Sequence, residues 1–167
     1  IAALGVTRTF QTPIMFWGLT VRESVAVALA ARSHRTNLSV LDGEAQAVLV
    51  GTPLEAFADL AAEQLSFGQE RMLEIIRALA LEPRVLLLDE PLSGLNPEEI
   101  AHVLALVRSA RERGVSVLFV EHDLASLLSA ADRFVVLDHG RKIAEGLPKA
   151  VCADPIVLEA YIGDEVA

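Results

Sequence analysis

Val85-Leu86-Leu87-Leu88-Asp89-Glu90-Pro91 decides the architecture. An unbroken apolar run of strand length, stopping on two carboxylates and a proline, reads as a β-strand buried on both faces of a parallel sheet. Just downstream, Asn96-Pro97-Glu98-Glu99 combines a cap, a first-turn proline and two acids, which together start a helix. Ile100, Val103, Leu104 and Val107 then recur at helical spacing until Gly114 closes the element. Val115–Val120 reads as the next buried strand, and Asp123 caps a short helix through Ala131. Phe134–Leu137 and Lys142–Glu145, joined by Asp138-His139-Gly140-Arg141, read as a β-hairpin. Strand and helix in alternation predict an α/β fold with a parallel sheet flanked by helices.

Upstream of that stretch the pattern changes. Val6-Thr7-Arg8-Thr9-Phe10 alternates as a short strand leading to Gln11. Thr20 with Glu23 forms a capping box that opens the alanine-rich run VRESVAVALAA. A polar stretch from Ser33 to Asn37 interrupts it, and short helices are predicted over Glu44–Val50 and Pro53–Ala62, with Gly51 between. This helical block before residue 65 reads as a separate subdomain.

Bulk composition removes several function classes. At 167 residues the chain can bury one substantial core. Although 53% of it is hydrophobic, no apolar stretch approaches the roughly 18 residues of a membrane span. Twenty-three acidic against 14 basic residues give a net charge of −9, with no basic face for nucleic acid. Arg108, Arg111 and Arg113 cluster where a predicted helix ends, and there they complement its dipole. A single cysteine, Cys152, excludes an intrachain disulfide framework and fits a reducing cytoplasm. No secretory leader is recognisable, and the opening on Ile1 rather than methionine suggests a sequence incomplete at its N-terminus.

Three places carry candidate chemistry. Asp89 and Glu90 end a buried strand, where ligands bind in open α/β sheets. One such carboxylate can hold magnesium through its water shell while the other orients or deprotonates a water, although two solvated acids at a strand end explain them equally well. Leu65-Ser66-Phe67-Gly68-Gln69-Glu70-Arg71 opens a helix running to Ala80. A capping box accounts for Ser66 and Gln69 but not for Gly68, which weakens the first turn while admitting an anion to its N–H groups. His122 follows the strand Val115–Val120, where it is either an ordinary polar terminus or a group reaching the same phosphate. His34, His102 and His139 have no comparable setting.

These residues carry a resemblance to the ATP-binding subunits of ABC transporters. LSFGQER resembles the signature motif, LLLDEP the Walker B strand, SGLNPEE (Ser93–Glu99) the D-loop, VEHD (Val120–Asp123) the switch-histidine segment and RTFQ (Arg8–Gln11) the Q-loop. All stand in the family's order, and the interval from Gln11 to Ser66 leaves room for an inserted helical subdomain. DRFVVLDHGRKIAEG, the closing EAYIGDE, Phe67 in place of a commoner glycine and Asn96 in place of a commoner aspartate resemble the branched-chain amino acid uptake branch.

The resemblance implies a partial P-loop NTPase (RecA-like) sheet with an inserted helical subdomain and a C-terminal hairpin and helical tail. It divides the chain into residues 1–11, the end of the N-terminal core; 12–80, the helical subdomain; and 81–167, the second half of the core with its tail. It implies ATP and Mg2+ as cofactors, and a second ATP-binding subunit, identical or paralogous, that sandwiches nucleotide with this one. Transmembrane permease subunits would hold the pair on the cytoplasmic face of the membrane. By the same resemblance Ser66, Phe67, Gly68 and Gln69 face the γ-phosphate held by the partner, with Ser93 and Asn96 beside them. Asp89 serves magnesium, Glu90 polarises the attacking water, His122 braces phosphate and water, and Gln11 senses magnesium and signals to the permease.

One element of the family pattern does not occur in the sequence: G-x-x-x-x-G-K-[ST], the loop that cradles the phosphates. The expectation is therefore an N-terminally truncated subunit whose 167 residues alone neither bind nor hydrolyse ATP. Val85–Leu88, lacking the first core strand, is expected to leave an open hydrophobic edge. The main alternative is a non-catalytic module lending its signature helix or docking surface to a complete partner. A chromosome-maintenance ATPase would need a long coiled coil between its halves, and an α/β domain without nucleotide would need every motif to be coincidental.

Overall fold

A computed structural model describes residues 4–9, 15–33, 37–122, 124–128 and 130–163. The chain divides into two compact units, Ile1–Glu121 and His122–Ala167.

In the first unit three parallel strands form a sheet in the order β1 (Val6–Arg8), β2 (Val85–Asp89), β3 (Ser116–Val120). Val6 pairs with Val85, and Asp89 pairs with Val120, so β2 and β3 end level with each other. Leu86 and Leu88 are fully buried on one face of β2, while Val85 and Leu87 on the other are half-buried. Burial on both faces is thus complete on one side only. Nor does β2 present an open edge, because it is hydrogen-bonded to a neighbour on each side.

The exposed margin falls on β3 instead. Expected as a buried strand, it pairs among the described residues with β2 alone, and Leu118 and Val120 are 57% and 56% exposed. Exposed apolar side chains on a strand with an unpaired flank favour edge-to-edge association. Leu118→Lys is expected to suppress concentration-dependent light scattering of the purified chain with less than about 1 kcal/mol change in stability. Unchanged scattering would show that β3 is not the sticky margin.

Helices α1 (Val21–Ser33), α2 (Leu38–Leu49) and α3 (Phe67–Ala80) form the helical block, with α1 packed on both of the others. The Thr20–Glu23 box is formed: the Glu23 N–H donates to Thr20 Oγ1 at 3.1 Å and the Thr20 N–H to Glu23 Oε2 at 2.8 Å. Those bonds, the backbone one foremost, hold the Glu23 carboxyl below its usual range. Val21, Val25 and Leu29 form the buried stripe of α1. Helix α2 begins earlier than the expected Glu44, and Gly51, at φ 75, follows its end. Pro53–Ala62 forms no α-helix; it contains a 3-10 turn at Glu55–Phe57, and a second begins at Ala62. Thr52 helps to divert the chain, donating to the Leu49 carbonyl at 2.7 Å and accepting the Leu54 N–H at 3.3 Å. Backbone bonds Val21 N–H to Leu60 O and Ala62 N–H to Leu19 O then lay residues 19–21 beside 60–62, just ahead of α3. Helix α4 (Pro97–Glu112) connects β2 to β3, buries Val103, Val107 and Ala110, and packs against α3.

The second unit holds α5 (Leu124–Leu127), a single turn that stops short of the expected Ala131; its expected cap, Asp123, lies outside the described residues. Strands β4 (Phe134–Asp138) and β5 (Arg141–Gly146) form the anticipated antiparallel hairpin. Its two-residue turn places His139 at φ 45 and Gly140 at φ 76, the paired left-handed geometry that right-twisted hairpins require. Arg133 and Lys142 both pair with Glu145, and α6 (Pro148–Cys152) and α7 (Pro155–Gly163) pack on β5.

Candidate functional site

The level ends of β2 and β3 put Asp89, Glu90, Val120 and Glu121 at the carboxyl edge of the sheet. Asp89 is paired with Arg8 Nη2 at 2.9 Å. Arg8 ends β1, so sheet pairing across 81 residues of sequence sets a cation beside the candidate magnesium ligand. Glu90 leaves the strand at φ 45, a left-handed conformation that costs a non-glycine residue roughly 1–3 kcal/mol. Its N–H donates to the Val120 carbonyl at 2.9 Å, and the Leu92 N–H donates to Glu121 Oε1 at 2.8 Å. Buried Pro91 and Leu92 complete the support. The turn that carries Glu90 is therefore tied to the end of β3, with the Glu90 side chain half-exposed.

The second component is the start of α3. Ser66 caps this 14-residue helix: its Oγ accepts the Gln69 N–H at 3.3 Å, and Gln69 Oε1 accepts the Ser66 N–H at 2.9 Å. Both acceptors are used by the box, while the Ser66 hydroxyl proton and the Gln69 Nε2 amide remain donor groups suited to an anion. The first-turn N–H groups of a helix have no intrahelical acceptor and add to the same positive end. Ser66 and Phe67 are exposed, Gln69 is half-buried and Gly68 is buried. Gly68 is not open space: Glu99 occupies the position a side chain would take there.

Ser93 and Asn96 lie on the exposed turn between β2 and α4. Asn96 Oδ1 accepts the Glu98 and Glu99 N–H groups at 3.0 Å, and Glu99 Oε2 accepts the Asn96 N–H at 3.0 Å, closing a second capping box. The Phe67 ring lies over Gly94 of this turn. Structure thus brings Phe67 and Gly68 against the Ser93–Glu99 turn, and Asp89 and Glu90 against the end of β3. His122 is exposed and begins the second unit, and Gln11 lies outside the described residues. Sequence reading missed Arg8, Glu99 and Glu121 as partners of the site. The motif spellings contain all three, but only sheet and helix packing shows what they touch.

Magnesium fits the donor set at the sheet edge. It takes one or two carboxylates and completes its shell with water and phosphate oxygens. Asp89 and Glu90 supply that kind of donor, and among the described residues no cluster of three His, Cys, Asp or Glu forms an all-protein cage.

Residues 3–93 match a sequence model of the ABC transporter family. BraF of Pseudomonas aeruginosa, a high-affinity branched-chain amino acid transport ATP-binding protein, is 36% identical over 181 residues, spanning 98% of this chain and 70% of BraF. The chain belongs to the ABC transporter ATP-binding family. LivG of Escherichia coli K12, of the same description, is 33% identical, spanning 98% of this chain and 70% of LivG. Residues 141–167 match a second sequence model, that of the branched-chain amino acid ATP-binding cassette transporter. An ATP-binding cassette of an ABC transporter, solved in its ADP conformation, superposes with a TM-score of 0.81 at 31% identity, covering 97% of this chain and 70% of that one. The expected P-loop NTPase fold, with parallel sheet and C-terminal hairpin, is therefore that of ABC ATPases. No helix among the described residues is long and apolar enough to cross a membrane.

Proposed function

We propose that this chain is an ATP-binding and hydrolysing subunit of an ABC importer that energises uptake of branched-chain or related amino acids. The observation that carries the reading is the capped, exposed start of α3, which presents a hydroxyl, an amide and helix N–H groups in the family's signature sequence. The match of residues 141–167 to the branched-chain amino acid model, with BraF and LivG as relatives, supports the substrate class.

In this reading Ser66 and Gln69 donate to the γ-phosphate of a nucleotide held by a second, identical or paralogous subunit, and Phe67, Ser93 and Asn96 shape the rim. Asp89, beside Arg8, would hold magnesium, which when bound would offset phosphate charge. Glu90 takes a proton from the attacking water, His122 steadies water and phosphate, and Gln11 links the site to the permease. Such chemistry is mostly positioning and preorganised electrostatics. Permease subunits hold the pair on the cytoplasmic face.

In a second reading the chain lends its α3 turn to a complete partner, and hydrolysis belongs to that partner. Reconstitution with permease and binding protein in liposomes tests the principal reading. Leucine-loaded binding protein is expected to stimulate ATP turnover severalfold. Ser66→Asp, which keeps a good cap but sets a carboxylate against the phosphate, should abolish that turnover without lowering the melting temperature. Stimulation by a different solute class would reject the substrate assignment, and turnover indifferent to Ser66→Asp would reject the phosphate site.

A further inference from the structure

Two glycines, Gly68 in the first turn of α3 and Gly94 in the turn ahead of α4, face Glu99 and Phe67 respectively. A Cβ built on Gly68 would lie 2.1 Å from Glu99 Oε1 and 2.3 Å from Glu99 Cδ. The other oxygen of that carboxylate, Oε2, accepts the Asn96 N–H at 3.0 Å. One carboxylate therefore closes the cap of α4 and fills the space a side chain would take on Gly68. In the opposite direction, a Cβ on Gly94, which sits at φ 76, would lie 3.3 Å from Phe67 Cε1. The Arg71 guanidinium lies over the same ring, 5.7 Å from its centroid. An ordinary capping box explains the Glu99 bond to Asn96, but it does not explain why Glu99 also fills the space over Gly68.

We propose that Glu99 is a positioning residue for the phosphate-facing turn. Its carboxylate on Gly68, with Phe67 on Gly94, clamps the first turn of α3 to the first turn of α4, so that the LSFGQ and SGLNPEE turns move as one body. The proposal rests on reading Ser66–Gln69 as the turn that meets the nucleotide. It gives Gly68 a requirement separate from ligand approach, namely room for Glu99. It also gives Phe67 a task that glycine at that position could not perform.

The clamp predicts non-additivity. With Glu99 present, Gly68→Ala pushes the end of the Glu99 side chain aside and costs its bond to Asn96, which offsets the gain in helix propensity. In a Glu99→Ala background that offset is gone, so the same substitution raises the melting temperature by several degrees more than it does with Glu99 in place. Equal shifts in both backgrounds would overturn the clamp. In the assembled importer, Glu99→Ala is expected to lower kcat by roughly fivefold or more with the KM for ATP within about twofold, since only transition-state positioning is lost. Glu99→Gln, with the same length and an amide oxygen for the Asn96 N–H, should recover most of that loss. A wild-type kcat for Glu99→Ala, or no recovery by Glu99→Gln, would overturn the positioning role. The melting cycle needs no nucleotide, so its failure is distinct from indifference to Ser66→Asp, which would fail the phosphate-site reading alone.

Discussion

Glu90→Gln is expected to lower ATP turnover of the assembled importer by about 100-fold or more while leaving nucleotide affinity nearly unchanged. The substitution keeps length and shape but removes the basic oxygen, and general-base catalysis of this kind is worth roughly 10²–10⁴ in rate. The geometry favours a dedicated role. Glu90 is held at φ 45, a conformation an unconstrained glutamate avoids. Two bonds fix the turn, one from its own N–H to Val120 and one from Leu92 to Glu121. Backbone strain maintained by neighbours fits a side chain that must point one way. Measuring turnover beside ATP binding separates the two readings. If Glu90→Gln matches wild type while Ser66→Asp abolishes turnover, the chain contributes its α3 turn in trans and hydrolysis belongs to the partner.

Local rules made much of this legible in the sequence. The boxes Thr20–Glu23 and Ser66–Gln69 and the Asn96 cap each act over three residues or fewer, so spelling and structure agree. The hairpin turn at His139-Gly140 was legible for the same reason. What escaped was set by pairing between distant segments. Nothing near Val85–Leu88 states that β1 and β3 flank it, and the open margin therefore moves from β2 to β3. Val115–Val120 has the composition of a buried strand, yet composition records what a residue tolerates, not whether a neighbour covers it. Arg8 and Asp89 meet only because β1 pairs with β2. Gly68 was read as an opening for ligand, and its contact with Glu99 arises from the packing of α3 on α4.

The inner face of α3 carries charges that sequence pattern alone would place in solvent, and breaking them should cost the most stability of any single change considered. Arg71 Nη1 lies 3.0 Å from Glu74 Oε2, with the side chains 1% and 9% exposed. Glu74 also acts on Arg77 one turn further on. Burial pushes the Arg77 guanidinium down and the Glu74 charge pushes it back up, while the guanidinium rests 3.9 Å over the Phe16 ring. One carboxylate therefore serves one buried and one half-buried cation. Glu74→Ala is expected to cost about 3–5 kcal/mol, the range for removing one member of a buried pair. For a chain of this size that lowers the melting temperature by roughly 10 °C. Arg71→Met with Glu74→Leu should restore much of the loss, because apolar groups of similar volume require no compensating charge and half-buried Arg77 still reaches water. The double variant separates two causes. Recovery would mean that the single change fails through a stranded charge, whereas a loss as deep as that of Glu74→Ala would mean that the pair sets the pitch of α3 against its neighbours. In the second case turnover of the assembled importer should fall with stability, since the turn that meets the nucleotide is the first turn of this same helix.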